Sequence, residues 1–382
     1  MKYWIGYVVA LIFAACTWAL HAFAAAHTLL VDMLYPYISR LVQIFLSAKT
    51  ANSGVCVWQL IVVILGALFL AGVILCIWRK KNLIRLIGWS LAFVSVLVLL
   101  STCLFGLSRY AGPLSDDIRL SVSSYSEEDL KTAMEYYQTK ANDLAPQLAR
   151  DSAGNISAEF PVVAEKANVG FEKLSYAEYF SVFANDTAPV KELDWQFVYS
   201  ALGKTSQFFP LTGEAAVNSN TPVQGLPFAI CRVSAQRISI SNNPDSAMAA
   251  YLACIYNDDL LYQYSGYFMA YRYCYTALLS LGHDGASLRS AECAQLKQDM
   301  DSYQSSFAAR SDDPAGKVAT ATGEMQPLHV VDLLVSWHMQ EIIAPTLVEE
   351  KPPFDPMDEN QVDLSQHPNA YKEEPTEATE GE

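Results

Sequence analysis

Three long apolar stretches lie within the first 110 residues, and they limit the folds open to this chain more than any other feature. They cover residues 4–26, 55–78 and 86–107 and contain no Asp, Glu, Lys or Arg. Each has the ~20 residues that an α-helix needs to cross the ~30 Å hydrocarbon layer of a bilayer. Because backbone groups in lipid must be hydrogen-bonded within their own segment, the stretches predict three transmembrane helices, with the lipid bilayer as partner.

The loops that flank the second stretch indicate the orientation of the chain. The loop that joins the second and third stretches has four cations and no anion: Arg79, Lys80, Lys81 and Arg85. The loop over residues 27–54 has two cations against one anion. The positive-inside rule places the cation-rich loop in the cytosol, so we expect everything after Arg109 to be extracytoplasmic.

Two further features of this region affect the predicted number of membrane crossings. The small residues at 22–26 would suit cleavage of a signal peptide, but the apolar run is long and only Lys2 precedes it, which favours a retained span. Between the first two stretches, apolar residues recur at helical spacing: Leu29, Leu30, Met33, Leu34, Ile38, Leu41, Val42 and Phe45. This pattern predicts an amphipathic helix that lies on the outer surface of the membrane.

Composition and charge exclude several classes of protein. Charged residues make up 17% of the chain and apolar residues 52%, whereas a soluble domain has about 25% charged residues. The net charge of −15 argues against a nucleic-acid partner, because binding to phosphates requires Lys and Arg. The sequence has no P-loop, GxGxxG or CxxC motif, which argues against nucleotide enzymes and zinc ribbons.

Residues 1–109 thus form a predicted membrane domain, and residues 110–345 form an exterior domain with mainly helical patterns. A capping box begins a helix at Ser126, and further helices are predicted over 227–241, 244–256, 260–281, 286–309 and 327–343. Residues 150–165 are rich in turn-forming residues, and one or two short strands are expected between residues 195 and 218. The predicted fold class is mainly α, an α+β domain with a small β element beside three membrane helices.

The end of the chain differs in composition from the exterior domain. Residues 346–382 contain eleven acidic residues, two lysines and five prolines, with almost no large apolar side chains. Such a segment cannot bury enough surface to offset its chain entropy, so we expect a disordered acidic tail. A solvating role is favoured over a specific docking role.

The exterior domain also contains four cysteines, namely Cys231, Cys254, Cys274 and Cys293. Their wide spacing lacks the short pairs of a zinc knuckle. Oxidation is permitted outside the cytosol, so one disulfide and buried free thiols both remain open.

Several segments resemble one bacterial membrane family, the domain of unknown function thirty-eight-ten. The similar segments are 35–39, 125–129, 209–218 (FPLTGEAAVN), 225–231 (GLPFAIC), 250–259, 264–267 and 331–334. The hydrophobic N-terminal layout is also similar, and the resemblance covers nearly the whole chain except the acidic tail. It implies a bacterial cell membrane location and an exterior domain similar to zinc metallopeptidases of the gluzincin type.

The family resemblance also implies a zinc site, which this sequence has lost. Members of the family usually have an HExxH helix directly after the position of Cys231, and an acidic third ligand downstream. Here the two metal histidines correspond to Arg232 and Gln236, the base glutamate to Val233, and the third ligand to Asp245. Arg has no lone pair for a metal and Val cannot accept a proton, so we expect no zinc, no other cofactor and no catalytic residue.

Two other pairs have a spacing that could supply metal ligands, namely His329 with Asp332 and His338 with Glu341. The two histidines lie nine residues apart, and at ~100° per residue this turns them to opposite faces of one helix. Satisfied or surface histidines are the preferred interpretation.

The arginine at the former metal position suggests a replacement for the lost positive charge. Arg232 and Gln236 share a helix face, because residues four apart do so. We therefore predict an ion pair between Arg232 and either Asp245 or Glu214, with an ordinary surface arginine as the alternative. Further residues could line the same cleft: Glu214, Asn218, Tyr264 and Tyr267. For the tyrosines, packing in the core is the preferred alternative.

The functional hypothesis is a multi-pass membrane protein with an inactive, metallopeptidase-like exterior domain. Such a domain would bind a peptide or protein, or support a complex. The alternative is an active membrane-anchored peptidase that uses a site other than HExxH. A transporter component is disfavoured because the predicted spans contain no charged residue.

Overall fold

Four long apolar helices begin the chain, at Ile5–Ala26 (α1), Thr28–Thr50 (α2), Val57–Trp78 (α3) and Leu83–Leu104 (α4). The structure is a computed structural model, and it describes residues 4–79, 82–176, 180–183, 188–311 and 328–343. Each of the four helices is long enough and apolar enough to cross a membrane. Three of them coincide with the predicted spans, and the fourth, α2, coincides with the predicted amphipathic helix.

Helices α1 and α4 pack against each other in parallel. Near their N-terminal ends, a Cβ atom added to Gly6 would lie 2.5 Å from the carbonyl carbon of Gly88. The hydroxyl of Tyr7 donates a hydrogen bond to the carbonyl of Ile84 over 3.0 Å. Beyond these contacts, a ring nitrogen of His21 near the end of α1 lies 3.2 Å from the Tyr110 hydroxyl, just after α4. The two helices are therefore in contact from their N-terminal ends to their C-terminal ends.

Helix α2 has its polar face buried against protein and its apolar face exposed. Ser39, Gln43 and Ser47 follow one another at intervals of four residues, and each is at most 2% exposed. Ser39 donates to the carbonyl of Leu104 at the end of α4 over 2.7 Å. Gln43 donates to the carbonyl of Pro210 in the exterior domain over 3.1 Å. The helix therefore lies along the exterior domain.

The exterior domain is built mainly from helices. They are Leu114–Asp117 (α5), Glu127–Leu144 (α6), Phe160–Glu165 (α7), Ala167–Tyr176 (α8), Gln196–Ala201 (α9), Leu226–Arg237 (α10), Asn243–Ile255 (α11), Leu260–Ser280 (α12), Gly285–Leu288 (α13), Ala294–Ser311 (α14) and Leu328–Trp337 (α15). A π-helical turn at His338–Ile343 follows α15. Short 3₁₀ turns lie at Gly106–Tyr110, Ala145–Gln147, Ser181–Phe183 and Val223–Gly225. The core is centred on α10, α11 and α12, which pack against one another and bury most of their side chains.

A small sheet lies between the exterior domain and the membrane helices. Its strands are Lys191–Glu192 (β1), Ser206–Phe209 (β2) and Glu214–Val217 (β3), in the order β1-β3-β2. The central strand β3 runs parallel to β1 and antiparallel to β2. All four residues of β3 are buried, because helices and the two outer strands cover it.

The predicted fold class, mainly α with a small β element, is confirmed. The capping box at Ser126 is also formed, since its hydroxyl accepts from the backbone of Asp129 and the Asp129 carboxylate accepts from the backbone of Ser126. Strands β2 and β3 lie in the predicted region. The acidic tail predicted at 346–382 lies outside the described residues.

Several predicted boundaries were wrong. The helix expected over 286–309 is split into α13 and α14. Helix α7 occupies part of a region expected to form turns, and its Pro161 lies in the first turn, where a proline costs no hydrogen bond. Helix α11 begins at Asn243, one residue before the predicted start at 244, and Asn242 is its N-cap residue. All eight cysteines lie within the described residues and are free thiols.

The parallel contact between α1 and α4 predicts that Gly6 cannot carry a larger side chain. Gly6→Val should force the helices apart and lower the stability of the protein by roughly 1–3 kcal/mol, since overpacking strains a close contact. Gly66→Val is the matched control, because a Cβ atom at Gly66 on α3 meets nothing within 4 Å. Thermal unfolding in detergent would measure both variants, and equal melting temperatures would contradict the contact.

Candidate functional site

The residues at the expected metal positions lie on α10 and at the start of α11. Arg232 and Gln236 share one partly exposed face of α10, as their spacing predicts. Val233, at the position of the expected base, is fully buried in the core. Asp245 lies in the first turn of α11 and is 8% exposed. The structure therefore brings α10 and α11 together but turns one of the four positions inward.

The predicted ion pair of Arg232 is not formed. Its guanidinium donates to the side-chain oxygen of Asn243 over 3.1 Å, and no salt bridge among the described residues joins Arg232 to Asp245 or Glu214. Asp245 instead accepts a hydrogen bond from Asn242 over 3.4 Å. The prediction was wrong because the neutral Asn243 at the start of α11 occupies the position next to the guanidinium.

Burial determines the electrostatics around Asp245. It raises the pKa of Asp245 above the ordinary value of 3.8, although hydrogen bonds from the Leu114 backbone and from Asn242 act in the opposite direction. Burial also raises the pKa of nearby Asp117, with a further contribution from the charge of Asp32. The carboxyl group of Asp245 therefore lies where a negative charge is poorly solvated.

The residues on this face do not fit a zinc ion. Zinc in proteins takes at least three ligands from Cys, His, Asp and Glu side chains, and Asp245 is the one such residue among the four positions. Arg232 has no lone pair to offer. Among the described residues, no group of three or more such side chains is placed to hold a metal.

Glu214 forms a different site, at the junction between β3 and α3. Its side chain is fully buried. One carboxylate oxygen accepts from the backbone N–H of Val57 over 2.8 Å and from the ammonium of Lys191 over 2.7 Å. The other oxygen accepts from the backbone N–H of Trp58 over 2.9 Å. These amides belong to the first turn of α3, where backbone N–H groups have no partner within the helix and a negative charge is favourable.

Neighbouring residues extend this junction to the whole segment that precedes α3. Asp194 accepts from the backbone N–H of Cys56 over 3.1 Å, and its own N–H donates to Gln59 over 2.9 Å. Lys191 also donates to the carbonyls of Thr50 and Val55. The chain around β1 and β3 therefore holds both the end of α2 and the start of α3.

The turn between β2 and β3 fits closely against α2. Gly213 has a φ of +68°, and a Cβ atom there would lie 2.5 Å from the backbone nitrogen of Ser47. The carbonyl of Thr212 accepts from the hydroxyl of Thr50 over 3.3 Å. The segment 209–218, one of those that carried the family resemblance, therefore contacts α2 and α3, and the partners of Glu214 are Val57, Trp58 and Lys191.

The other residues predicted to line a cleft lie in separate places. Asn218 is fully buried and donates to Ser200 over 2.9 Å. Tyr264 donates to the buried carboxylate of Asp299, which also takes two hydrogen bonds from Arg150. The ring of Tyr267 packs against the rings of Tyr136 and Tyr251. These contacts agree with the core-packing alternative for the tyrosines.

Sequence reasoning missed the ionised groups of the junction and of the core. Lys191 and Asp194 lie in a short polar segment before β2, and Arg150 lies in a region expected to form turns. Nothing local in the sequence indicates their contacts, because their partners are 23 to 149 residues away. Only the polar character of 191–194 next to predicted strands could have drawn attention to them.

The apolar helices and the buried junction define a membrane protein with a mainly α-helical domain packed on its membrane helices. The chain belongs to the family described as "Protein of unknown function (DUF3810)", whose model matches residues 31–322. No curated protein and no solved structure matches the chain significantly. The family is thus established, while the similarity to metallopeptidases remains a hypothesis.

Removal of the charge of Glu214 should destabilise the whole protein. Glu214→Gln leaves the buried Lys191 ammonium without its carboxylate, so we expect a loss of about 3 kcal/mol in the free energy of unfolding. Glu192→Gln is the control, because Glu192 is exposed on the adjacent strand. Lys191→Met together with Glu214→Gln should recover part of the loss in a double-mutant cycle. Equal unfolding curves for Glu214→Gln and Glu192→Gln would contradict the role of this junction.

The raised pKa of Asp245 predicts a pH-dependent effect of Asp245→Asn. A carboxyl group whose pKa is raised in the folded state stabilises the fold at a pH below its unfolded-state pKa of 3.8. This contribution to stability is lost as the pH rises through the folded-state pKa. Asp245→Asn should therefore be more stable than wild type at pH 7 and lose this advantage toward pH 4. Thermal unfolding across this range would test it.

Asp151→Asn provides a control of opposite sign for this pH profile. The carboxylate of Asp151 is exposed, and hydrogen bonds from the Asn155 backbone and its neighbours lower its pKa. This variant should be less stable than wild type at neutral pH, with the difference vanishing in acid. A constant difference across the pH range for Asp245→Asn would contradict the proposed cost of burying its charge.

Proposed function

We propose that the protein is a bacterial cell-membrane protein with three crossings and a non-catalytic, metallopeptidase-like exterior domain that binds a peptide or protein. The non-catalytic part of this proposal rests on one observation. Val233 occupies the position of the expected general base, and it is fully buried in the core. A base must lie within reach of the water it activates. A buried aliphatic side chain can neither reach that water nor accept its proton.

The directions of the helices support three crossings rather than four. If α1, α2, α3 and α4 all crossed the bilayer in turn, α1 and α4 would run antiparallel. They pack in parallel, with Gly6 beside Gly88 and His21 beside Tyr110. Parallel packing requires that only one of the two helices between them crosses, and the charge-free, strongly apolar α3 is the better candidate.

The positions of the helix ends support the same topology. The start of α3 is bound by Glu214, and the end of α4 accepts from Ser39. Both ends therefore lie on the side of the exterior domain. The cations at residues 79–85 lie at the opposite ends of α3 and α4, which favours a cytosolic location for that loop and an extracytoplasmic one for the domain.

The polar face of α10 supports a role in binding. Arg232 and Gln236 keep hydrogen-bonding groups on a partly exposed face. The guanidinium of Arg232 has a neutral partner, Asn243, rather than a carboxylate. Guanidinium groups favour carboxylates and bind them with two parallel hydrogen bonds. The proposed ligand is therefore a peptide or protein segment that presents a carboxylate.

Zinc binding by engineered variants would test whether this face descends from a metal site. Arg232→His with Gln236→His places two imidazoles on one helix face, and we expect this variant to bind zinc more tightly than the wild-type protein does. If Asp245 occupies the position of the third ligand, adding Asp245→Asn should weaken zinc binding by roughly tenfold. Calorimetric titration of the purified proteins would measure both, and an unchanged affinity would contradict the descent.

The wild-type protein provides the test against the alternative function. We expect metal analysis of the purified full chain to find no stoichiometric zinc, and peptide hydrolysis to be absent. Stoichiometric zinc together with chelator-sensitive cleavage would overturn the proposal. That result would favour an active peptidase that uses a site other than HExxH.

A further inference from the structure

The apolar face of α2 is exposed and is not covered by other residues that the structure describes, so it requires a partner. Its exposed side chains are Leu29, Leu30, Met33, Leu34, Tyr37, Ile38, Leu41 and Phe45. They include Leu29 at 80% and Met33 at 71% exposure. Contiguous apolar surface of this extent is rare on the water-exposed surface of a protein and marks an interaction site.

The opposite face of α2 is fixed to the exterior domain, so the helix cannot turn to hide its apolar side. Ser39, Gln43 and Ser47 are buried against protein. The turn at Gly213 approaches the helix so closely that there is no room for a Cβ atom. This distribution is the reverse of that of an amphipathic helix on a soluble protein, where the apolar face packs inward.

We infer that α2 lies in the plane of the extracytoplasmic leaflet, with its apolar face in lipid and its polar face against the domain. This inference rests on the three-crossing topology proposed above. A single residue, His27, separates α1 from α2, and six residues separate α2 from α3. Both ends of α2 are therefore held close to the level at which α1 and α3 meet the membrane surface. The proposed occupant is the lipid of that leaflet.

The charged residues of α2 are placed as such an arrangement requires. The guanidinium of Arg40 is turned to the domain and donates to the carbonyls of Ile238 and Ser181. Asp32 accepts from the backbone N–H of Gly112 over 2.6 Å. The ammonium of Lys49 lies 5.3 Å from the ring of Phe45, where a long cationic side chain can reach lipid phosphates while its stem stays in the apolar layer.

The depth of three positions along α2 distinguishes an in-plane helix from a crossing helix. A fluorescent amino acid would replace Leu30, Ile38 and Phe45 one at a time, in the full chain reconstituted in phosphatidylglycerol–phosphatidylethanolamine vesicles. Nitroxide lipids labelled near the headgroup or near the chain end would then quench the fluorescence. Leu30 and Phe45 lie fifteen residues apart, which corresponds to about 22 Å along a helix.

For an in-plane helix, all three positions should have the same shallow depth, with quenching ~2-fold stronger by the headgroup-level nitroxide than by the deep one. Leu281 is the control, because it is 59% exposed at the end of α12, a helix that packs on other helices of the exterior domain. The fluorophore at Leu281 should not be quenched by either lipid. Thermal unfolding of each labelled protein would confirm that the fold is retained.

Two other outcomes would overturn the inference in distinguishable ways. Depths that change steadily along α2 would identify a crossing helix and overturn the three-crossing topology as well. Weak quenching at all three positions would mean that protein, such as a second copy of the chain, covers the apolar face. That result would leave the topology intact but exclude lipid as the occupant.

Discussion

The buried carboxylate of Glu214 is the interaction on which the arrangement of this protein depends. A helix that enters the membrane leaves its first backbone N–H groups without partners, and they must be satisfied where the helix begins. Glu214 accepts from two of these groups on α3 and from Lys191 at the same time. Because all of these groups are withdrawn from water, the arrangement is stable only when every partner is present. The start of α3, the end of α2 and the small sheet are therefore held as one unit.

This junction gives a structural role to one of the segments in which the sequence resembles the family. The segment 209–218 places Gly213 against α2 and Glu214 against α3, so its residues attach the domain to the membrane helices. The segment that begins α10 has a different role, since it places Arg232 and Gln236 on a partly exposed face. The attachment to the membrane helices and the proposed binding face therefore lie in separate parts of the domain. A domain fixed so rigidly would present its polar face at a constant height above the bilayer.

Much of the fold could be predicted because its signals are local. Apolar length predicted the membrane helices, and the Ser126 capping box lies within four residues of sequence. The candidate site was less predictable, because side-chain partners are chosen by the packing of distant segments. Arg232 was expected to pair with a carboxylate, yet Asn243 takes that position, and Glu214 pairs with Lys191 and with backbone far away in the chain. The short helix α7 escaped prediction because the turn-forming residues around it conceal its periodicity.

Hydrogen exchange at the start of α3 tests the central role of Glu214 most directly. In the full chain in lipid nanodiscs, the amides of Val57 and Trp58 should exchange slowly, because the Glu214 carboxylate binds both. Amides in the first turn of a helix are normally unprotected, so slow exchange there has no explanation within α3 itself. Exchange at the rate of an uncapped helix end would contradict the junction and the rigid attachment that it supports.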